Sequence, residues 1–158
     1  MQENIVRSTS PVRRPPGHFL GVAASCSATG ELRILKSVHA GDAGTVINPL
    51  QCRGQIESGV AQALGAAIFE EVQIDAQGRV VNPSFRNYHL PVFADIPRTE
   101  VMFADTADTL GPFGAKSMSE SPYNPVGAAL ANAVRDATGR RFYRLPLKPD
   151  RIFEPSDT

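Results

Sequence analysis

Between residues 50 and 72 the apolar side chains Ile56, Val60, Leu64 and Ile68 recur at every fourth position, and Ala61, Ala67 and Phe69 widen the stripe they form. Positions four apart stack on one face of an α-helix, so this recurrence predicts a helix over 50–72, introduced by the turn signal Asn48-Pro49. The same stretch carries Gly54, Gly59 and Gly65. Each costs about 1 kcal/mol relative to Ala in a helix interior. Glycines kept at that cost imply that something approaches the helix backbone closely, either a tightly packed helix or strand or a ligand.

The segments around this helix read as strands and one further helix. Residues 18–28 and 31–38 are strand-like runs separated by Thr29-Gly30, with Leu35 one step out of phase with Leu32 and Ile34. Gln73-Ile74-Asp75 and Arg79-Val80-Val81 flank Ala76-Gln77-Gly78 as a second hairpin, and 99–104 is another strand. Val126, Leu130, Ala133, Val134 and Ala137 give helical spacing over 124–138, with Pro125 in the first turn and Gly139 as the stop. Two amphipathic helices need an apolar cover and alternating strands offer one face. The expected fold is therefore α+β: a two-layer sandwich in which a mixed β-sheet, built from 18–28, 31–38, about 73–82 and 99–104, is covered by the two main helices. One domain over 17–155 is expected between a flexible arm at 1–16, which ends in Pro15-Pro16, and a short tail at 156–158.

Charge and composition remove several classes of function. Sixteen Lys and Arg balance sixteen Asp and Glu, at a pI of 6.8. That balance lacks the basic footprint of a nucleic-acid binder. No apolar run approaches the roughly 20 residues of a membrane-spanning helix, and the first residues carry charges with no apolar stretch behind them. A cytoplasmic location is the expectation. Cys26 and Cys52 stand far apart without a CxxC pattern, so they read as buried free thiols rather than a disulfide or a zinc site.

There is no GxSxG elbow, no phosphate-binding GxxxxGK[ST], no GxGxxG after a strand and no HExxH. His18, His39 and His89 are scattered. His39 and Asp42 suit a metal only on a helix, which the neighbouring glycines oppose, and each His reads as a surface or hydrogen-bonded residue. The loop over 105–122 is long enough to be functional. Within it Gly111-Pro112-Phe113-Gly114-Ala115-Lys116-Ser117-Met118-Ser119-Glu120 leads a single carboxylate toward the next helix. Glu120 there is either a general base or a residue that complements the helix dipole.

Several blocks, in order, carry a family resemblance. Residues 31–38, Gly44-Thr45-Val46-Ile47-Asn48-Pro49, Gly54-Gln55-Ile56-Glu57-Ser58-Gly59, Gln62-Ala63-Leu64-Gly65 and Glu70-Glu71 resemble the C-terminal part of the molybdopterin-binding subunit of molybdenum hydroxylases, the xanthine dehydrogenase and aldehyde oxidoreductase type. The resemblance continues through Tyr88-His89-Leu90-Pro91, Asp95-Ile96-Pro97, the Gly114 to Glu120 block, residues 128–136 and Leu145-Pro146-Leu147-Lys148-Pro149-Asp150-Arg151-Ile152. It implies the fold of a C-terminal molybdenum-cofactor-binding domain. It also implies oxidative hydroxylation of an aldehyde or N-heterocycle with water-derived oxygen, on molybdopterin in its cytosine dinucleotide form. Glu120 falls on the family's proton-accepting glutamate. Gly54 and Gln55 fall on the glycine-glutamine block against the pterin, and Lys116, Ser117, Met118 and Ser119 line the same site; no residue of this chain is expected to ligate the metal directly. The family block reads Gly-x-Lys-Gly-x-Gly-Glu, so Ser117 and Ser119 replace two glycines. The family's subunit is much longer, and the implied partners are the remaining molybdopterin-binding chain, a 2Fe-2S iron-sulfur subunit and an FAD subunit, with a small-molecule substrate and neither nucleic acid nor membrane. The alternative is a truncated, non-catalytic module that folds or associates without turnover.

Overall fold

The computed structural model describes residues 18–153 and a short strand at Val6–Ser8. The rest of the expected arm at 1–16 and tail at 156–158 lies outside the described residues. Four strands form one sheet in the order β1 (Val6–Ser8), β2 (Phe19–Cys26), β3 (Leu32–Gly41), β4 (Thr99–Phe103). The first three run antiparallel and β4 pairs parallel with β3, which makes the sheet mixed as expected. Strand β1 falls inside the segment expected to be an arm.

The phase change at Leu35 has a structural cause. Ala23 pairs with Lys36 while Ala24 pairs with Ile34, so Leu35 is the extra residue of a β-bulge. One extra residue exchanges the two faces of a strand. Before the bulge Leu32 and Ile34 pack against the core. After it the inward positions are Ser37, His39 and Gly41, all buried.

That inward face, with Leu20, Val22 and Ala24 of β2, is covered by α1 (Pro49–Ile68) and α2 (Val126–Thr138). The predicted stripe of α1 forms the centre of the core: Ile56, Val60 and Leu64 are at most 1% exposed and Ile68 is buried with them. From α2, Val126, Leu130, Ala133 and Val134 are fully buried. Helix α1 starts where Asn48 accepts from Gln51 N (3.1 Å) with Pro49 in its first turn. It stops at Ile68, four residues before the expected end. Phe69 N and Glu70 N both turn back to Gly65 O (2.9 Å each), and the buried amide of Asn82 takes Glu71 O (2.7 Å), drawing the chain out of the helix. Helix α2 ends at Gly139, in the left-handed conformation (φ 76°).

The hairpin expected at 73–82 forms its turn, with Gly78 N donating to Asp75 O (3.0 Å), but not its strands. Only Ile74 and Val80 make a bridge. It is not part of the sheet, whose strands are β1, β2, β3 and β4 in that order. The closing segment docks through the five-residue helix α3 (Pro149–Phe153), with Leu147 N on Ala67 O (2.7 Å) and Ile152 in the core. Glu71 anchors it, accepting from Arg151 Nη2 (2.6 Å) and Lys148 Nζ (2.8 Å).

Candidate functional site

The three glycines of α1 meet different surroundings. A Cβ on Gly59 would lie 2.9 Å from Pro122 and 3.2 Å from Tyr123 N, and one on Gly65 would strike Glu70 and sit 3.0 Å from Pro91. Close protein packing accounts for both. A Cβ on Gly54 would meet nothing within 4 Å. That turn of the helix presents bare backbone to open space, and Gln55 beside it is exposed.

Gln55 Nε2 donates to Ser119 O at 2.6 Å, joining the first half of α1 to the block that ends in Glu120. The contact uses one of the amide's two N–H groups and leaves its oxygen free for a second partner. Ser119 has φ +40°, a conformation glycine adopts without strain and other residues do not. The substitution of serine for a family glycine therefore falls where the backbone is left-handed. Ser117, Ser119 and Glu120 are exposed, and Met118 is half-buried with its side chain against the core. Beyond Glu120 a short turn over Ser121–Tyr123 lays buried Pro122 on α1.

Lys116 is drawn inward. Its Nζ lies 2.6 Å from Asp42 Oδ2, with the two side chains 22% and 12% exposed. Asp42 also accepts from Thr106 Oγ1 (2.5 Å) and Gly44 N (3.0 Å), and these bonds hold its carboxyl down at about 2. Around the pair, Lys116 N donates to Ala43 O and Thr45 N to Gly114 O, both at 2.8 Å. The block within the long loop is thus tied to the end of β3 and to α1. Next to it Phe113 is 89% exposed at φ 55°.

Sequence reasoning weighed Asp42 only as a metal partner of His39 and so missed its bond to Lys116. The available signal was an aspartate in the small-residue loop Gly41-Asp42-Ala43-Gly44, where a side chain bonds the backbone two residues on. His39 is fully buried, with Nε2 3.0 Å from His18 Nδ1 and no partner for Nδ1 among the described residues. Burial holds its pKa down to about 4, helped by the neighbouring His18. Cys26 and Cys52 are free but only half-buried, less enclosed than expected, and burial raises both thiols. A cleft of about 810 Å³, lined by Arg33, Phe69, His89, Asp95 and Lys148 among others, lies at the far end of α1 from Gln55.

The structure therefore brings together Gly54, Gln55 and Ser119, with Glu120 one residue further on. These residues fit a flat, amide-rich heterocycle: an uncovered helix turn for close approach and a primary amide with spare donor and acceptor groups beside it. Lys116 serves the same block from inside rather than facing the open surface.

Known proteins show the same arrangement of sequence. The family model described as a molybdopterin cofactor-binding domain matches residues 18–97. The chain is 39% identical over 132 residues to the putative xanthine dehydrogenase molybdenum-binding subunit XdhA of Escherichia coli K12, covering 83% of this chain and 17% of that one. It is 39% identical over 140 residues to the aldehyde oxidoreductase molybdenum-binding subunit PaoC of the same organism, covering 87% and 19%. Quinoline 2-oxidoreductase from Pseudomonas putida 86 superposes with a TM-score of 0.81 at 33% identity, over 85% of this chain and 18% of its own. The chain spans less than a fifth of the length of these relatives. With its mixed sheet, its glycine-bearing helix and the matched sequence running through both, the chain belongs to the molybdopterin cofactor-binding domain family of the molybdenum hydroxylases.

Proposed function

We propose that this chain contributes part of the cofactor site and the general base of a molybdenum hydroxylase that oxidises an aldehyde or N-heterocycle with water-derived oxygen. The observation that supports the reading is the Gln55–Ser119 bond, which ties the exposed turn at Gly54 and Gln55 to the segment that runs into the exposed Glu120. Gly54, Gln55, Ser117, Met118 and Ser119 would hold a molybdopterin cofactor there, in the cytosine dinucleotide form. Lys116 would act from the inner side of the same block. When bound, that group supplies the two-electron oxidant.

The chain's own part is positional and protonic. Gln55 offers its remaining N–H and its oxygen to the ring system, while the absence of a side chain at Gly54 allows contact with the helix backbone. Glu120 takes up, at its carboxylate, the proton released as oxygen adds to the substrate carbon. A base must lie within hydrogen-bonding reach of the proton it removes, and the short link to Ser119 limits where this carboxylate can go. The chain supplies only one wall of such a site. The reading therefore includes the remaining molybdopterin-binding chain as partner, and iron-sulfur (2Fe-2S) and FAD chains to carry electrons away. The words "molybdenum-binding subunit" in the relatives' names support such an assembly.

The test is turnover of an aldehyde or N-heterocycle by the reconstituted assembly at equal molybdenum loading. Glu120→Gln keeps the shape, removes the basicity, and should lower kcat by about 10²- to 10⁴-fold. Equal rates would leave Glu120 as a residue that complements the following helix.

A further inference from the structure

Asp42 sits where β3 gives way to the loop before α1, on the rigid end of a core strand. It gathers three donors: Lys116 Nζ at 2.6 Å, Thr106 Oγ1 at 2.5 Å and Gly44 N at 3.0 Å. The strand end below it is fixed in turn by Ala104 N on Gly41 O (2.9 Å). His18 is the other titratable group that faces it, and it feels the Asp42 charge. Both partners of the Asp42–Lys116 pair are largely shielded, so the pair is screened less than a surface ion pair.

Two clamps bracket the segment that carries the base. Lys116 is held at one side by Asp42, and Ser119 at the other by Gln55; only Ser117 and Met118 lie between them. A segment that short, pinned at both ends, has few backbone conformations left, and the residue following the second clamp is Glu120. We propose that Asp42 is a positioning residue of the site: by gripping Lys116 it fixes the course of residues 117–119 and hence the place at which Glu120 is presented. The proposal rests on the reading of Glu120 as the base. It also assigns Lys116 a task its exposure supports, since its ammonium is spent on Asp42 within the protein.

Hydrogen exchange on the full 158-residue chain tests the clamp without cofactor. Asp42→Asn and Lys116→Met should each speed exchange of the Lys116 and Ser121 amides, which bond Ala43 O and Met118 O on either side of the segment, by about tenfold or more while those of α1 and α2 keep their rates. Unchanged exchange at Lys116 and Ser121 in both variants overturns the proposal. If Asp42→Asn loosens the whole chain, Lys116→Met decides, because it leaves the Thr106 and Gly44 bonds in place. General loosening in both variants would make the pair a stability element and also overturn the proposal. In the loaded assembly at equal molybdenum content, Asp42→Asn should lower kcat by about 10- to 100-fold with KM little changed, the pattern of a misplaced catalytic group. Glu120→Gln run alongside separates the two readings. If it has no effect, the base assignment fails; if it slows turnover while Asp42→Asn does not, only the positioning role fails.

Discussion

Gln55 on α1 and Ser119, 64 residues later, are joined by a 2.6 Å bond from the Gln55 amide to the Ser119 carbonyl. The bond lies at the surface, where a neutral hydrogen bond adds little to stability, about 0.5–1.5 kcal/mol at most. Its value is in placing two segments side by side. Gln55→Ala should therefore lower the thermal midpoint only slightly and lower molybdenum content in the assembled enzyme much more. Metal analysis beside a thermal scan checks this. A variant that loads fully would remove Gln55 from the cofactor surface.

Ser119 holds a left-handed backbone at φ +40°. For a residue with a Cβ this costs roughly 1–2 kcal/mol, while glycine avoids it but loses about 0.5–1 kcal/mol through the freedom of the unfolded chain. Ser119→Gly should accordingly be near neutral or slightly stabilising, and Ser119→Val clearly destabilising, by about 1–2 kcal/mol more. Urea midpoints of the two variants decide the matter; if both behave alike, the strain is not present in solution.

Acid should weaken the fold in two separable steps. His39 is fully buried and its pKa falls from 6.5 to about 4, so the unfolded chain takes up its proton first and stability is lost as pH drops from 6.5 toward 4. Glu71, bonded to Lys148 and Arg151, is lowered from 4.5 to about 2. Its contribution is present above 4.5 and is lost as pH falls toward 2. Unfolding curves from pH 8 to 2 should show His39→Gln flattening the upper window and Glu71→Gln the lower, each by about 1–2 kcal/mol. Parallel curves for wild type and both variants would contradict the assignment.

Between residues 72 and 93 the chain exposes Val72, Ile74, Val80, Val81, Phe85, Leu90, Val92 and Phe93, the last at 98%. So much apolar surface on one excursion favours association. The isolated chain should self-associate with rising concentration in sedimentation velocity, and Phe85→Ser with Phe93→Ser should reduce this without moving the thermal midpoint. A monodisperse monomer at high concentration, with both phenylalanines present, counts against this surface as an interface.

The four-residue spacing of Ile56, Val60, Leu64 and Ile68 was sufficient to place α1, because a periodic apolar stripe has one economical solution, burial of that face. The same holds for α2 and for the β2–β3 hairpin, whose turn chemistry is local. The glycines of α1 signalled close approach to its backbone, whereas residue types alone left Glu120 open between a general base and a complement to the helix dipole, and only the family resemblance of its block singled it out. Tertiary structure decided what periodicity does not encode. The hairpin at 73–82 has strand-like residues, yet it closes only on itself through the Ile74–Val80 bridge and stays outside the sheet. Leu35 was out of phase for a reason visible only in the register across to Ala23 and Ala24. Asp42 and Lys116, 74 residues apart, gave no sequence sign of each other; their pairing exists because the β3 end and the Gly114–Lys116 stretch zip together. Local sequence fixes which face of each element is apolar, whereas the partner of a polar side chain is settled only when distant segments meet.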